Sequence, residues 1–174
     1  MLFCLTVAWV QLLGAQARQL ALNEDQVKAA FVYNFVKFVE WPDETQSVAG
    51  PFVIGVLGDT ALTAHIADTV RGKAVRGRGF EVRHFTAPDD LIVCHVLFVV
   101  SPDQETVQRT LHVARNFPAL TIGELRGFSE WGGVIELIVE DNKFRFEINA
   151  GAARQGGLKV SSRLLRLARS VRGN

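Results

Sequence analysis

Four histidines, an aspartate pair, a serine pair and a glycine–arginine segment are the residues of this chain whose types could carry chemistry. His65, His84, His95 and His112 fall in four different segments, and no two stand at a metal-ligand spacing such as H-x₃-H. His95 lies inside the apolar run LIVCHVLFVV and reads as a satisfied core histidine. Asp89-Asp90 would suit acid–base work as paired carboxylates, but they follow Pro88 and read as a solvated turn. Ser161-Ser162 has no G-x-S-x-G elbow around it, and helix capping accounts for it. Gly72, Gly77 and Gly79 alternate with Arg71, Lys73, Arg76 and Arg78 without forming a G-x-G-x-x-G turn. That segment reads as a loop, with contact to anionic headgroups or an acidic partner as its functional alternative. The expectation is a protein without catalytic residues, metal or cofactor, and not an enzyme.

Binding residues are better candidates. In Phe146-Glu147-Ile148-Asn149 the apolar side chains alternate with Glu147, which should point to solvent at the end of the last strand. Asn149 can cap the segment that follows, and Ala152, Ala153 and Arg154 offer a small-residue surface. Glu147, Asn149, Ala153 and Arg154 are therefore the expected partner-binding residues. The alternative for Glu147 is a plain ion pair with Arg145. Trp41, before Pro42, and Trp131, in the loop GFSEWGG, are each a core plug or an anchor for a ligand or an interface. Lys159, Arg163, Arg166, Arg169 and Arg172 follow the last acidic residue, Glu147, and give the C-terminal end a basic face suited to an acidic partner or a membrane surface.

Positioning these residues requires an ordered set of elements. Residues 27–42, VKAAFVYNFVKFVEWP, form an amphipathic helix capped at Asn23 and ended by Pro42, with Asn34, Lys37 and Glu40 on its polar stripe. Strands are predicted over 52–57, 79–85, 91–100 and 120–122, with helices from Asp59 or Thr60 to about Val70 and over about 104–115. Asp141-Asn142 tolerates positive φ between two alternating runs and predicts a β-hairpin. A last helix is expected over about 160–171, with Val160, Leu164, Leu167, Ala168 and Val171 on its apolar stripe. The sum is a single compact α/β domain: a mixed β-sheet with helices on both faces and a C-terminal β-hairpin plus helix.

Composition sets outer bounds. Net charge is +1, no electrostatic footprint for nucleic acid, and 48% hydrophobic residues suffice for a core. Residues 2–14 are apolar and precede Ala15-Gln16-Ala17, so residues 1–17 read as a cleavable signal peptide and 18–174 as an exported, periplasmic domain. Cys4 leaves with the leader, and Cys94 remains as a buried thiol.

Five blocks, VKAAFVYNFVKFVEWP, FVIGVLGD, CHVLFV, GGVIELIVEDNKFRFEIN and GLKVSSRLLRLA, in this order and spacing, resemble the YfiR-like family of bacterial periplasmic proteins over residues 24–172. The resemblance implies an α/β regulatory protein without known enzymatic activity. It implies a repressor that binds the periplasmic domain of a membrane diguanylate cyclase and lowers cyclic-di-GMP signalling and biofilm formation. Cys94 matches a cysteine that is paired in disulfide-bearing members; its partner and the second pair are absent here, which sets disulfide-based redox control aside. The rival expectation is a periplasmic small-molecule-binding sensor module without a cyclase partner, its crevice lined by Trp41, Trp131 and Gly58-Asp59. A homodimer and a small-molecule cue complete the expected interactions.

Overall fold

The computed structural model describes residues 24–42 and 50–173. The expected signal peptide and the Asn23 cap lie outside the described residues. Helix α1 covers residues 24–38. It is followed by β1 (Val39–Glu40), β2 (Phe52–Leu57), α2 (Thr60–Val70) and β3 (Phe80–Phe85). A 3₁₀ turn at Pro88–Asp90 leads to β4 (Val96–Val99), α3 (Gln104–Ala114) and β5 (Leu120–Gly123). The hairpin strands β6 (Ile135–Glu140) and β7 (Lys143–Asn149) precede α4 (Ala150–Gln155), β8 (Lys159–Val160), α5 (Ser162–Leu167) and β9 (Ser170–Arg172).

Among the described residues, seven strands form one sheet in the order β3-β2-β4-β5-β6-β7-β9, parallel except where β6 meets β7. The single-domain mixed α/β architecture is the expected one. Alternation divides the core between the faces. Val96 and Phe98 join the cluster that holds Val32, Phe35 and Val36 of α1 and Leu62 and Ile66 of α2. Leu97 and Val99 join the opposite cluster, with Val107 and Leu111 of α3. Each fully buried large apolar side chain contributes about 1.5–3 kcal/mol, so α1 is held by its buried stripe, while Asn34, Lys37 and Glu40 stay exposed. Asp59 and Asp103 cap α2 and α3 by accepting from Leu62 and Thr106 N–H. Asp141 and Asn142 turn the hairpin at φ 51° and 57°, as the sequence predicts.

Three boundaries differ from expectation, each through a partner distant in sequence. Helix α1 stops at residue 38, before Pro42, because Val39 and Glu40 pair antiparallel with Val160 and Lys159. The predicted strand over 91–100 shortens to Val96–Val99, and backbone bonds to its neighbours reach only from His95 to Val100; Ile92 and Val93 are 42% and 64% exposed. The predicted last helix ends at Leu167, which is 64% exposed rather than on a buried stripe. Ser170–Arg172 then pair parallel with Glu147–Asn149, so β9 and not β7 is the last strand.

Candidate functional site

The antiparallel end of the sheet carries a groove of about 730 Å³ between β6–β7–β9 and the loop after β5. The loop is built by close packing. A Cβ on Gly123 or Gly133 would sit 2.3 or 2.1 Å from the Phe128 ring, so only glycines let this fully buried phenylalanine seat. Polar side chains from the strands then tie the loop down. The buried Glu136 carboxylate accepts from Gly127 N–H at 3.1 Å and Ser129 N–H at 3.0 Å. Thr121 Oγ1 accepts from Val134 N–H at 3.0 Å. Asn149 Nδ2 donates to Ser129 O at 2.8 Å.

Charge organises both ends. Lys28 of α1 stands 3.0 Å from Glu124 and 3.8 Å from Asp25. Burial raises the Glu124 carboxyl above its usual range, against the lowering effect of Lys28, and Asp25 is raised by burial in the same way. At the other end Arg169 reaches Glu147 at 2.9 Å and Glu140 at 3.1 Å, while Arg172 reaches Glu130 at 3.3 Å and Glu147 at 4.0 Å.

Of the residues singled out in the sequence, Glu147, Trp131 and the Arg169–Arg172 pair come together here. Glu147 does not project freely into solvent: its side chain is 15% exposed and paired to Arg169, not to Arg145. Phe146 and Ile148 face the core as the alternation requires. Asn149 caps α4 by accepting from Ala152 N–H at 2.8 Å, as expected. Ala153 is 1% exposed and packs into the core, so the small-residue surface is reduced to Ala152 and the exposed Arg154, which donates to Gly173 O.

Trp41 lies away from the groove as a core plug, 3% exposed, its Nε1 donating to His95 O at 3.0 Å. His95 Nδ1 accepts from Val53 N–H at 3.0 Å, and the Arg78 guanidinium stands 3.1 Å from Nε2. Burial, with the Arg78 charge second, lowers the His95 pKa to about 4, so the ring is neutral at physiological pH. The cations of the basic loop contact the protein itself: Arg76 bonds Val39 O, Arg78 bonds Gly50 O and stacks on Phe52, and Lys73 lies over Tyr33.

Glu136 and Lys28 escaped sequence reasoning. A glutamate inside the apolar run VIELIVE is the signal that could have found the first. The second needed knowledge of which loop α1 meets.

These features define an open mixed α/β protein with a charged groove at its antiparallel edge. The chain belongs to the YfiR/HmsC-like family (DUF4154), whose profile matches residues 25–169, and is thereby a member of a family of periplasmic regulatory proteins. No curated protein sequence matches it. The crystal structure of a conserved domain protein from Vibrio cholerae superposes with a TM-score of 0.54 at 13% identity, over 85% of this chain and 60% of that one. The likeness concerns the fold alone, and the chain spans about 60% of that protein's length. An ABC domain in complex with L-Trp from Streptococcus pneumoniae reaches a TM-score of 0.49 at 11% identity, over 69% and 55% of the two chains, and adds nothing to the assignment. Among the described residues no helix is long and apolar enough to cross a membrane.

Proposed function

We propose that this protein is a periplasmic repressor that binds the extracytoplasmic domain of a membrane diguanylate cyclase and keeps the enzyme inactive, lowering cyclic-di-GMP output. The observation that carries the reading is the family match across nearly the whole described chain. The contact surface runs from the groove rim at Glu147 to Asn149 and the exposed Arg154. Repression works by differential affinity: the protein binds the inactive state of its partner more tightly and shifts the population toward it. A homodimer presenting this surface twice is compatible with the same scheme. Burial of Trp41 removes one of the reasons for expecting self-association, because that side chain needs no further cover.

The test is a pull-down from solubilised membranes with the exported chain as bait, beside its Glu147→Lys and Arg154→Glu variants. Recovery of a diguanylate cyclase by the wild type, and its loss with Arg154→Glu at unchanged melting temperature, is the expected result. Arg154→Glu is the cleaner probe, because Glu147→Lys also breaks the ion pairs that hold β9. Absence of any cyclase from the wild-type eluate overturns the reading.

A further inference from the structure

Strand β6 outruns its neighbour. The β5–β6 ladder holds only Ile122↔Ile135 and Gly123↔Glu136, while β6 continues to Glu140. Beyond Glu136 one edge of β6 therefore has no strand beside it among the described residues.

The ladder shows which groups face that empty lane. Asn149 N–H donates to Val134 O, across to the β6 side, whereas Arg169 N–H donates to Phe146 O, on the β9 side. Antiparallel alternation then has Glu136, Ile138 and Glu140 exchanging bonds with β7. Leu137 and Val139 direct their N–H and C=O away from β7; the Gly123↔Glu136 pairing takes the Leu137 N–H onto Gly123 O, which leaves the Leu137 C=O and both groups of Val139 facing the lane. Among the described residues no backbone group outside the strand ladders takes them up. The unpaired stretch, Leu137–Glu140, spans about 13 Å at the rise of a strand.

The groove follows this edge, and Leu137, Val139, Glu124 and Arg126 are among its lining. Alternating donors and acceptors along an open strand edge match the main chain of another extended segment. Charge narrows the choice further. The lining holds six glutamates against four lysines or arginines, so the groove keeps a net negative charge after Lys28, Arg169 and Arg172 pair with Glu124, Glu140, Glu147 and Glu130. Val139, 60% exposed, adds an apolar contact at the mouth.

We propose that the groove is a strand-accepting site. It takes an extended, basic segment of a partner protein, held by main-chain hydrogen bonds to Leu137 and Val139 with its basic side chains toward the glutamates. The site does not depend on the partner being a cyclase, so this inference and the repressor reading fail separately.

The probe is a short capped peptide alternating Val with Lys, compared with its Val/Glu counterpart and with a version N-methylated at every second residue. Amide exchange read by NMR should slow about tenfold at Val139 when the Val/Lys peptide binds, with Leu137 unchanged because it already bonds Gly123, and Ile138 and Glu140 unchanged because they already bond β7. The Val/Glu and N-methylated peptides should bind at least about tenfold more weakly, a difference of about 1.4 kcal/mol. Val139→Pro removes one outward donor and no β6–β7 bond, so it should weaken binding about tenfold while the fold persists. If that variant unfolds, the wild-type exchange pattern and the N-methylated peptide decide alone. Equal binding of the N-methylated peptide, tighter binding of the Val/Glu peptide, or no protection of Val139 overturns the proposal.

Discussion

Glu136 and Glu147 stand directly opposite each other on the antiparallel strands β6 and β7. Two like charges in that relation ordinarily destabilise a sheet. Here each carboxylate turns to a different partner: Glu136 to the backbone N–H groups of Gly127 and Ser129, Glu147 to Arg169. The pair thus pins the groove's loop on one side and the edge strand β9 on the other.

Replacing Glu136 tests the loop anchor. Glu136→Leu leaves two N–H groups without their acceptor and should cost about 2–4 kcal/mol. Glu136→Gln keeps one acceptor oxygen and should cost roughly half as much. Urea denaturation midpoints measure both; a leucine variant within about 0.5 kcal/mol of wild type would show that the loop is held by packing on Phe128 alone.

Glu147 and Arg169 should behave as a coupled pair. Arg169→Glu places a third carboxylate near Glu140 and Glu147, and Glu147→Arg crowds Arg169 and Arg172. Each single change should cost about 1–2 kcal/mol, and the double exchange should return about 0.5–1 kcal/mol of the sum, given the solvent exposure of Arg169. Additive losses in the double-mutant cycle would mean that the pair carries no coupling.

His95 makes part of the stability depend on pH. Its folded pKa of about 4 lies below the ordinary 6.5, so the unfolded chain binds more protons across that window. The contribution is complete above pH 6.5 and falls away as pH drops toward 4, with a slope of at most about 1.4 kcal/mol per pH unit. Asp25 and Glu124, raised by burial, act in the opposite direction. The informative quantity is therefore the stability difference between wild type and His95→Gln, measured by denaturation at several pH values. It should grow in favour of wild type as pH rises through the window; a flat difference would show that the ring titrates normally.

Cys94 is 1% exposed, and burial pushes its thiol up to about 12. A thiol-specific reagent at mildly alkaline pH should leave it unmodified in the native protein and label it fully in denaturant. Mass spectrometry reads the result, and native labelling as fast as that of a free peptide thiol would contradict the burial.

What was legible in the sequence was whatever a local pattern could encode. The buried stripe of α1, the cap at Asp59 and the Asp141-Asn142 turn all depend on residues within a few positions of one another. The errors fell where a distant segment decided the outcome. Val39 and Glu40 carry a helical pattern but take a strand because Lys159 and Val160 lie beside them. Ser170–Arg172 extend for the same reason, along β7. The same pairing decides the place of Glu147, because Arg169 and Arg172 carry a helical pattern yet stand beside β7 at β9. The loop after β5 was opaque because its ties, from Thr121, Glu136 and Asn149, come from three different strands.

The small ribbon of β1 and β8 joins opposite ends of the described chain, reinforced where Ser161 N–H donates to Phe38 O. It acts as a clasp, so α1 cannot fray from its C-terminal end while β8 stays in place. One helix thus belongs to both features: its C-terminal end feeds the clasp, and its Lys28 lines the groove.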